Sequence, residues 1–154
     1  RLPWSRERRV SARRKARKRA LDVLFSADVR GVELEIALEE AEMIASRQPE
    51  RSSSWGYAKE MVEGVLAHGD EIDRLLSDTS ESWPLERMPT VDRAVLRIGV
   101  WEMLYNLDVP LAVVISEAVE LASELSTEAS GGFVHGILSA IAEHTSSTEV
   151  QPKQ

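Results

Sequence analysis

TVDRAVLRIGVWEMLY, residues 90–105, decides the fold. At about 100° per residue, Val91, Ala94, Val95, Leu96, Ile98, Val100, Trp101 and Leu104 occupy nearly the whole circumference of a helix. A helix apolar almost all round has no face for water, so the segment is expected to be the buried central post of an all-α domain. Arg97, Glu102 and, on the following helix, Glu117 are charges set among apolar neighbours. They are expected to form an interhelical ion pair that fixes register, and so to serve stability, not catalysis. Asp108-Val109-Pro110 breaks the post, with Pro110 tolerated in the first turn of a helix over Leu111–Leu125. Ser126–Ser130 turns the chain into a last helix, Phe133–Glu143, and residues 145–154 read as a flexible polar tail.

Working upstream, Asp78–Pro84 is rich in Ser, Asp and Pro and reads as the hinge between two lobes, at about 11–80 and 83–144. Before it, Ile72, Leu75 and Leu76 suggest a short helix. Ser54 is placed to cap a helix with apolar positions Tyr57, Ala58, Met61, Val62, Val65 and Leu66. A further helix spans Glu33–Arg47, with Leu34, Ala37, Leu38 and Ala41 at helical spacing. The first helix is expected to begin near Ser11 and to end at Gly31, leaving residues 1–10 as a flexible basic extension. No segment alternates with period two, and no repeat of fixed period is present.

The overall charge of −7 conceals a division. Residues 1–19 hold ten bases against the single acid Glu7, a charge of +9, and the other 135 residues hold nine bases and 25 acids, a charge of −16. Such asymmetry suggests a basic arm for a polyanion joined to an acidic body. The absence of Cys excludes disulfides, thiolate catalysis and Cys-based metal sites. No apolar run is long enough to span a bilayer and no secretory signal is legible, so a cytoplasmic protein is expected. His68, His135 and His144 share no ligand spacing, and there is no nucleophile elbow, P-loop or dinucleotide fingerprint. The expectation is a protein that is not an enzyme and carries neither cofactor nor metal. Gly131-Gly132 before a helix is read as close packing in preference to a phosphate cradle.

The functional signal lies in the first helix. Ala12, Ala16, Ala20, Val23, Leu24 and Ala27 form one arc to dock, and Arg13, Arg14, Lys15, Arg17, Lys18 and Arg19 cover the rest. One-signed charge at i,i+4 spacing repels itself slightly, and a polyanion relieves it. By helical angle, Leu21 and Phe25 fall off the docked arc, along the strip of Arg14 and Lys18. There an aromatic ring can stack on an unpaired base or fill a partner's pocket. A lone basic helix, with neither helix-turn-helix nor zinc-finger spacing, gives no support for major-groove readout of DNA.

Four motifs together resemble the NusB family of transcription antitermination factors. They are ARRKAR at 12–17 running into ALDVLF at 20–25, VDRAVLRI at 91–98 followed by Trp101-Glu102, ISEAVELA at 115–122, and FVHGIL at 133–138. The resemblance implies about seven helices in two packed sub-bundles forming one domain, over 11–144. It implies binding to single-stranded boxA RNA together with the ribosomal protein NusE, in support of RNA polymerase elongation on ribosomal RNA operons. Carried over by position, Arg13, Arg14, Lys15 and Arg17 would touch RNA, with Lys18 as an added base, Phe133 at the RNA edge, and Phe25 near both RNA and partner. Glu86 and Asp92 would face the partner, alongside Leu21 from the helical angle. His135, Ser123 and Ser116 stand where the family usually has Asn, Lys and Asn. Two rival readings remain at this stage: a homodimeric interaction module with the basic helix masked, and an accessory RNA-binding subunit for a methyltransferase.

Overall fold

The computed structural model describes residues 3–147, the side chains of 3–9, 11, 51, 52, 146 and 147 excepted. Seven α-helices follow in order: α1 Pro3–Arg30, α2 Leu34–Ser46, α3 Ser52–Ala67, α4 Gly69–Thr79, α5 Thr90–Tyr105, α6 Leu111–Leu125 and α7 Ser130–Ser147. Short 3₁₀ turns at Pro49–Arg51 and Leu85–Arg87 precede α3 and α5. Among the described residues there is no β-strand, and no helix is long and apolar enough to cross a membrane.

The chain divides into two compact units, Arg1–Leu66 and Ala67–Gln154. In the first unit, α1 ends in a Schellman motif: Gly31 takes φ +68°, its N–H donates to Asp28 O, and the Val32 N–H donates to Ala27 O. The reversal lays α2 back along α1. A two-point bond of Arg30 Nη1 and Nη2 to the Glu40 carboxylate, 2.7 and 3.0 Å, ties the pair at the surface. Lys59 on α3 reaches Glu42 on α2 at 3.1 Å. Ala16, Ala20, Leu24, Ala37, Ala58 and Met61 are buried in this unit.

In the second unit, α5 packs against α4, α6 and α7, and α6 packs along α7. Ten of its sixteen residues are buried, which makes it the post that its sequence predicts. Gly99 gives α7 its close approach: a Cβ there would meet Leu138 Cδ1 at 3.0 Å. Arg97 makes a two-point bond to Asp73 on α4, Nε to Oδ1 and Nη2 to Oδ2, both 2.9 Å. Asp73 was not singled out by the sequence. Its acid joins α4 to the post, and Ile72 and Leu76 of α4 are fully buried. These contacts explain why α4 belongs with the second unit, whereas composition put the break at Asp78–Pro84. The Ser- and Pro-rich stretch marks a turn inside that unit.

Three further boundaries differ from expectation. The first helix starts at Pro3, not near Ser11, because a run of bases can remain helical without an apolar stripe to announce it. Ser54 is not a cap: it lies inside α3, 4% exposed, and its Oγ accepts from Arg19 Nε at 2.8 Å. Finally, α7 begins at Ser130 and takes Gly131 and Gly132 into its first turn. A Cβ on Gly131 would lie 2.4 Å from Ser123 Oγ on α6, so close helix packing is the use of that glycine. The helix extends to Ser147, past the expected start of the tail, and 148–154 fall outside the described residues.

Candidate nucleic-acid interface

The amphipathic pattern of α1 fixes which bases face outward. Ala16, Ala20, Val23, Leu24 and Ala27 are buried, and so are Leu21 and Arg17, each 3% exposed. Together they define a docked arc about 160° wide. Against α1 lie α2, which packs along it, and α3, which touches it through Ser54 and through Tyr57, whose ring lies 5.7 Å below the Arg13 guanidinium. Leu21 and Arg17 fall inside the buried arc. Leu21 is therefore core and not a partner anchor, and the Arg17 guanidinium is drawn into the fold instead of presented for contact.

What is left outside is a predominantly basic strip. Arg14, Lys15 and Lys18 are exposed, with Arg19 half-buried at its margin and Arg13 half-buried on the docked side. Phe25 continues the strip at 39% exposure, so α2 does not cover it, and its ring is available for stacking. Asp22 interrupts the strip. Burial lifts its carboxyl above the ordinary value of 3.8, against the opposing pull of Arg19 and Lys18. A carboxyl with a raised folded pKa is most favourable to the fold below its unfolded pKa and loses that contribution as pH rises through the folded value. Asp22→Asn is therefore expected to be at least as stable as the parent at pH 7, with the difference narrowing as pH falls toward 4. Paired thermal melts across that range check it; a parent more stable at pH 7 would show the charge to be a net stabiliser.

A second feature belongs to the other unit. Trp83, Phe133, Asp92, Ser130 and Thr127 line a pocket of about 260 Å³. Trp83 meets Phe133 edge to face, centroids 5.1 Å apart at 74°. Asp92, in the first turn of α5, is 1% exposed, so it faces the pocket and not the open surface expected of a partner contact. Its Oδ1 accepts from Ser130 Oγ at 2.8 Å and from Ser126 Oγ, which anchors the start of α7 to the post. Its Oδ2 is buried without a hydrogen-bond partner.

The structure thus brings Phe133 and Asp92 to one pocket, though the family resemblance implies separate roles for them. Glu86 is exposed in the 3₁₀ turn before α5, and Ser116, Ser123 and His135 are exposed on α6 and α7. Trp83 was missed. Its only signal was a large aromatic in a polar, Pro-containing turn, where 41% of its surface stays open.

A docked helix whose outer face is predominantly basic marks an all-helical module suited to a polyanion. Comparison sharpens the class. The sequence profile of the NusB family matches residues 14–143, and the chain belongs to the NusB family. It is 56% identical to the transcription antitermination protein NusB of Clavibacter michiganensis subsp. michiganensis over 133 residues, 86% of this chain and 97% of the relative. Among solved structures it is similar to T. maritima NusB (36% identity, TM-score 0.74), covering 85% of this chain and 90% of that one. It is also similar to a chain from the crystal structure of antitermination factors NusB and NusE in complex with dsRNA (28% identity, TM-score 0.75), covering 87% and 98%.

Proposed function

We propose that this chain is a non-catalytic transcription antitermination factor. It binds single-stranded boxA-type RNA jointly with the ribosomal protein NusE and thereby supports processive elongation by RNA polymerase in the cytoplasm, chiefly on ribosomal RNA operons. The observation that carries this reading is the exposed strip Arg14, Lys15 and Lys18 on a helix whose other side is docked. The names of its relatives and the RNA-bound neighbour point the same way. Residues 11–144 make up the RNA-binding domain. Arg13, Arg14, Lys15 and Lys18 supply phosphate contacts, Phe25 and Phe133 stack, and Phe25 and Glu86 serve the partner side. Arg17 acts from within, by holding the helix in place.

Phosphate contacts are blind to pairing, whereas rings need unstacked bases. Single-stranded RNA is therefore expected to compete better than a duplex of the same sequence. With three exposed bases engaged, log K should fall with log salt at a slope of about −2, from roughly −0.7 per phosphate on a single strand. Adding NusE should tighten binding at matched salt, because two surfaces then share one strand. Titration of a boxA-like RNA with and without NusE checks both. Equal affinity in the two arms would remove the adaptor role.

A further inference from the structure

From Ser11 to Phe25 the sequence of α1 holds a single acid, Asp22. It is exposed on the basic strip, four residues after Lys18 and three before Phe25, a spacing that brings the three to one side of the helix. The ordinary uses of a surface acid do not account for it. Partial burial lifts its carboxyl above the usual value, so the charged form is a cost to the fold and not a support. Lys18 and Arg19 lie near enough to favour the charge, yet among the described residues no hydrogen bond or ion pair holds the carboxylate. Toward a phosphate it is repulsive. A carboxylate that neither steadies the helix nor suits the backbone of a nucleic acid is suited to the N–H groups of a base.

An ionised carboxylate only accepts hydrogen bonds, through two oxygens. Base edges meet that demand unequally. Guanine presents its N1–H and its N2 amino group side by side, a match for both oxygens. Adenine and cytosine each present one amino group beside a ring acceptor, and the N3–H of uracil stands between two carbonyls that a carboxylate repels. The exposed Phe25 ring is the platform: residues at i and i+3 of a helix stand about 5–6 Å apart at Cβ, so a base stacked on Phe25 brings its edge within reach of Asp22. Lys18, on the other side of Asp22, is placed for the phosphate of the same strand. We infer that Asp22 reads one base of the bound strand and selects guanine, accepting from its N1–H and N2 amino group while Phe25 stacks on its face. The inference rests on the proposed RNA-binding function and deepens it, because phosphate contacts alone carry no sequence preference.

The test measures the affinity of the whole chain, and of Asp22→Asn, for a uridine oligomer and for three versions of it with one central guanine, adenine or cytosine, all at one salt concentration. The parent is expected to favour the guanine oligomer over plain uridine by about fivefold or more, the range of a two-point base contact, with adenine and cytosine between. Asn keeps the shape of the side chain, removes its charge and turns one acceptor into a donor. Asp22→Asn is therefore expected to bind plain uridine about two- to fivefold more tightly, since a repulsion toward phosphate is gone, and to bring the guanine-to-uridine ratio close to one. A change in the fold or in long-range charge moves all four affinities together and leaves that ratio alone. Equal tightening on all four RNAs would overturn the inference. So would a guanine preference that persists in Asp22→Asn, which would come from stacking alone, or a parent without preference. In each of these cases the proposed function stands if Lys18→Glu weakens all four RNAs. If no RNA binds, both fall.

Discussion

Arg14→Glu combined with Lys18→Glu is expected to cut RNA affinity by about a hundredfold or more at moderate salt. Each base contributes a charge-assisted contact of about 1.5–3 kcal/mol when it meets a phosphate, and reversal replaces attraction with repulsion. Both side chains are exposed on α1, so the substitutions disturb no packing. The salt dependence gives a second, independent reading. Two lost phosphate contacts should flatten the slope of log K against log salt by about 1.4. Reversal at Arg74, exposed on α4 of the other unit, is the control for net charge, and it should change affinity only a few-fold. If the double variant binds as the parent does while remaining folded, the basic strip is not the RNA site, and function must be sought on the acidic surface. A loss equal to that of Arg74→Glu would mean that long-range charge is being measured and not contact.

The choice of Lys18 over Arg17 as the second position shows what the sequence could and could not reveal. The sign of the face was legible at once, because ten bases in nineteen residues need no tertiary information to be seen. Its rotation was not. The width of a docked arc depends on how many helices lie against it, and nothing in α1 itself tells that α3 reaches Arg13 and Arg19 through Tyr57 and Ser54. Arg17 and Leu21 are buried beyond the arc that the apolar spacing marks. The post and its successor, by contrast, were legible close to their observed bounds, Thr90–Tyr105 and Leu111–Leu125. Local chemistry sets both starts: Pro89 and Pro110 hold the N-cap positions, where a missing N–H costs the helix nothing. The start of α7 was missed for the opposite reason. Two glycines look like a break until Ser130 is seen bonded to Asp92, on a helix distant in sequence. The Trp83–Phe133 pocket was invisible for the same cause, since it is assembled from elements that only the fold brings together.

Glu102→Ala is expected to be among the most destabilising single substitutions in the chain. Glu102 is 1% exposed in α5, between buried Trp101 and Met103, and its side chain is partnered. A carboxylate cannot be carried so far from water without compensating bonds, so its removal abandons the groups that satisfied it and opens a void beside them. Breaking a buried charged arrangement by deleting one member costs about 3–5 kcal/mol. At about 2–4 °C per kcal/mol for a chain of this size, the melting temperature should fall by roughly 10 °C or more. Glu102→Gln, which keeps the shape and part of the bonding, should lose less. An acid buried in an apolar post invites a functional reading, and the same pair of variants excludes or admits a role in RNA binding. If Glu102 serves the fold alone, RNA affinity per folded molecule is unchanged in both variants at a temperature where both are native. A normal melting temperature with weakened RNA binding would instead place Glu102 in the binding machinery, and the post would then be a functional element as well as a structural one.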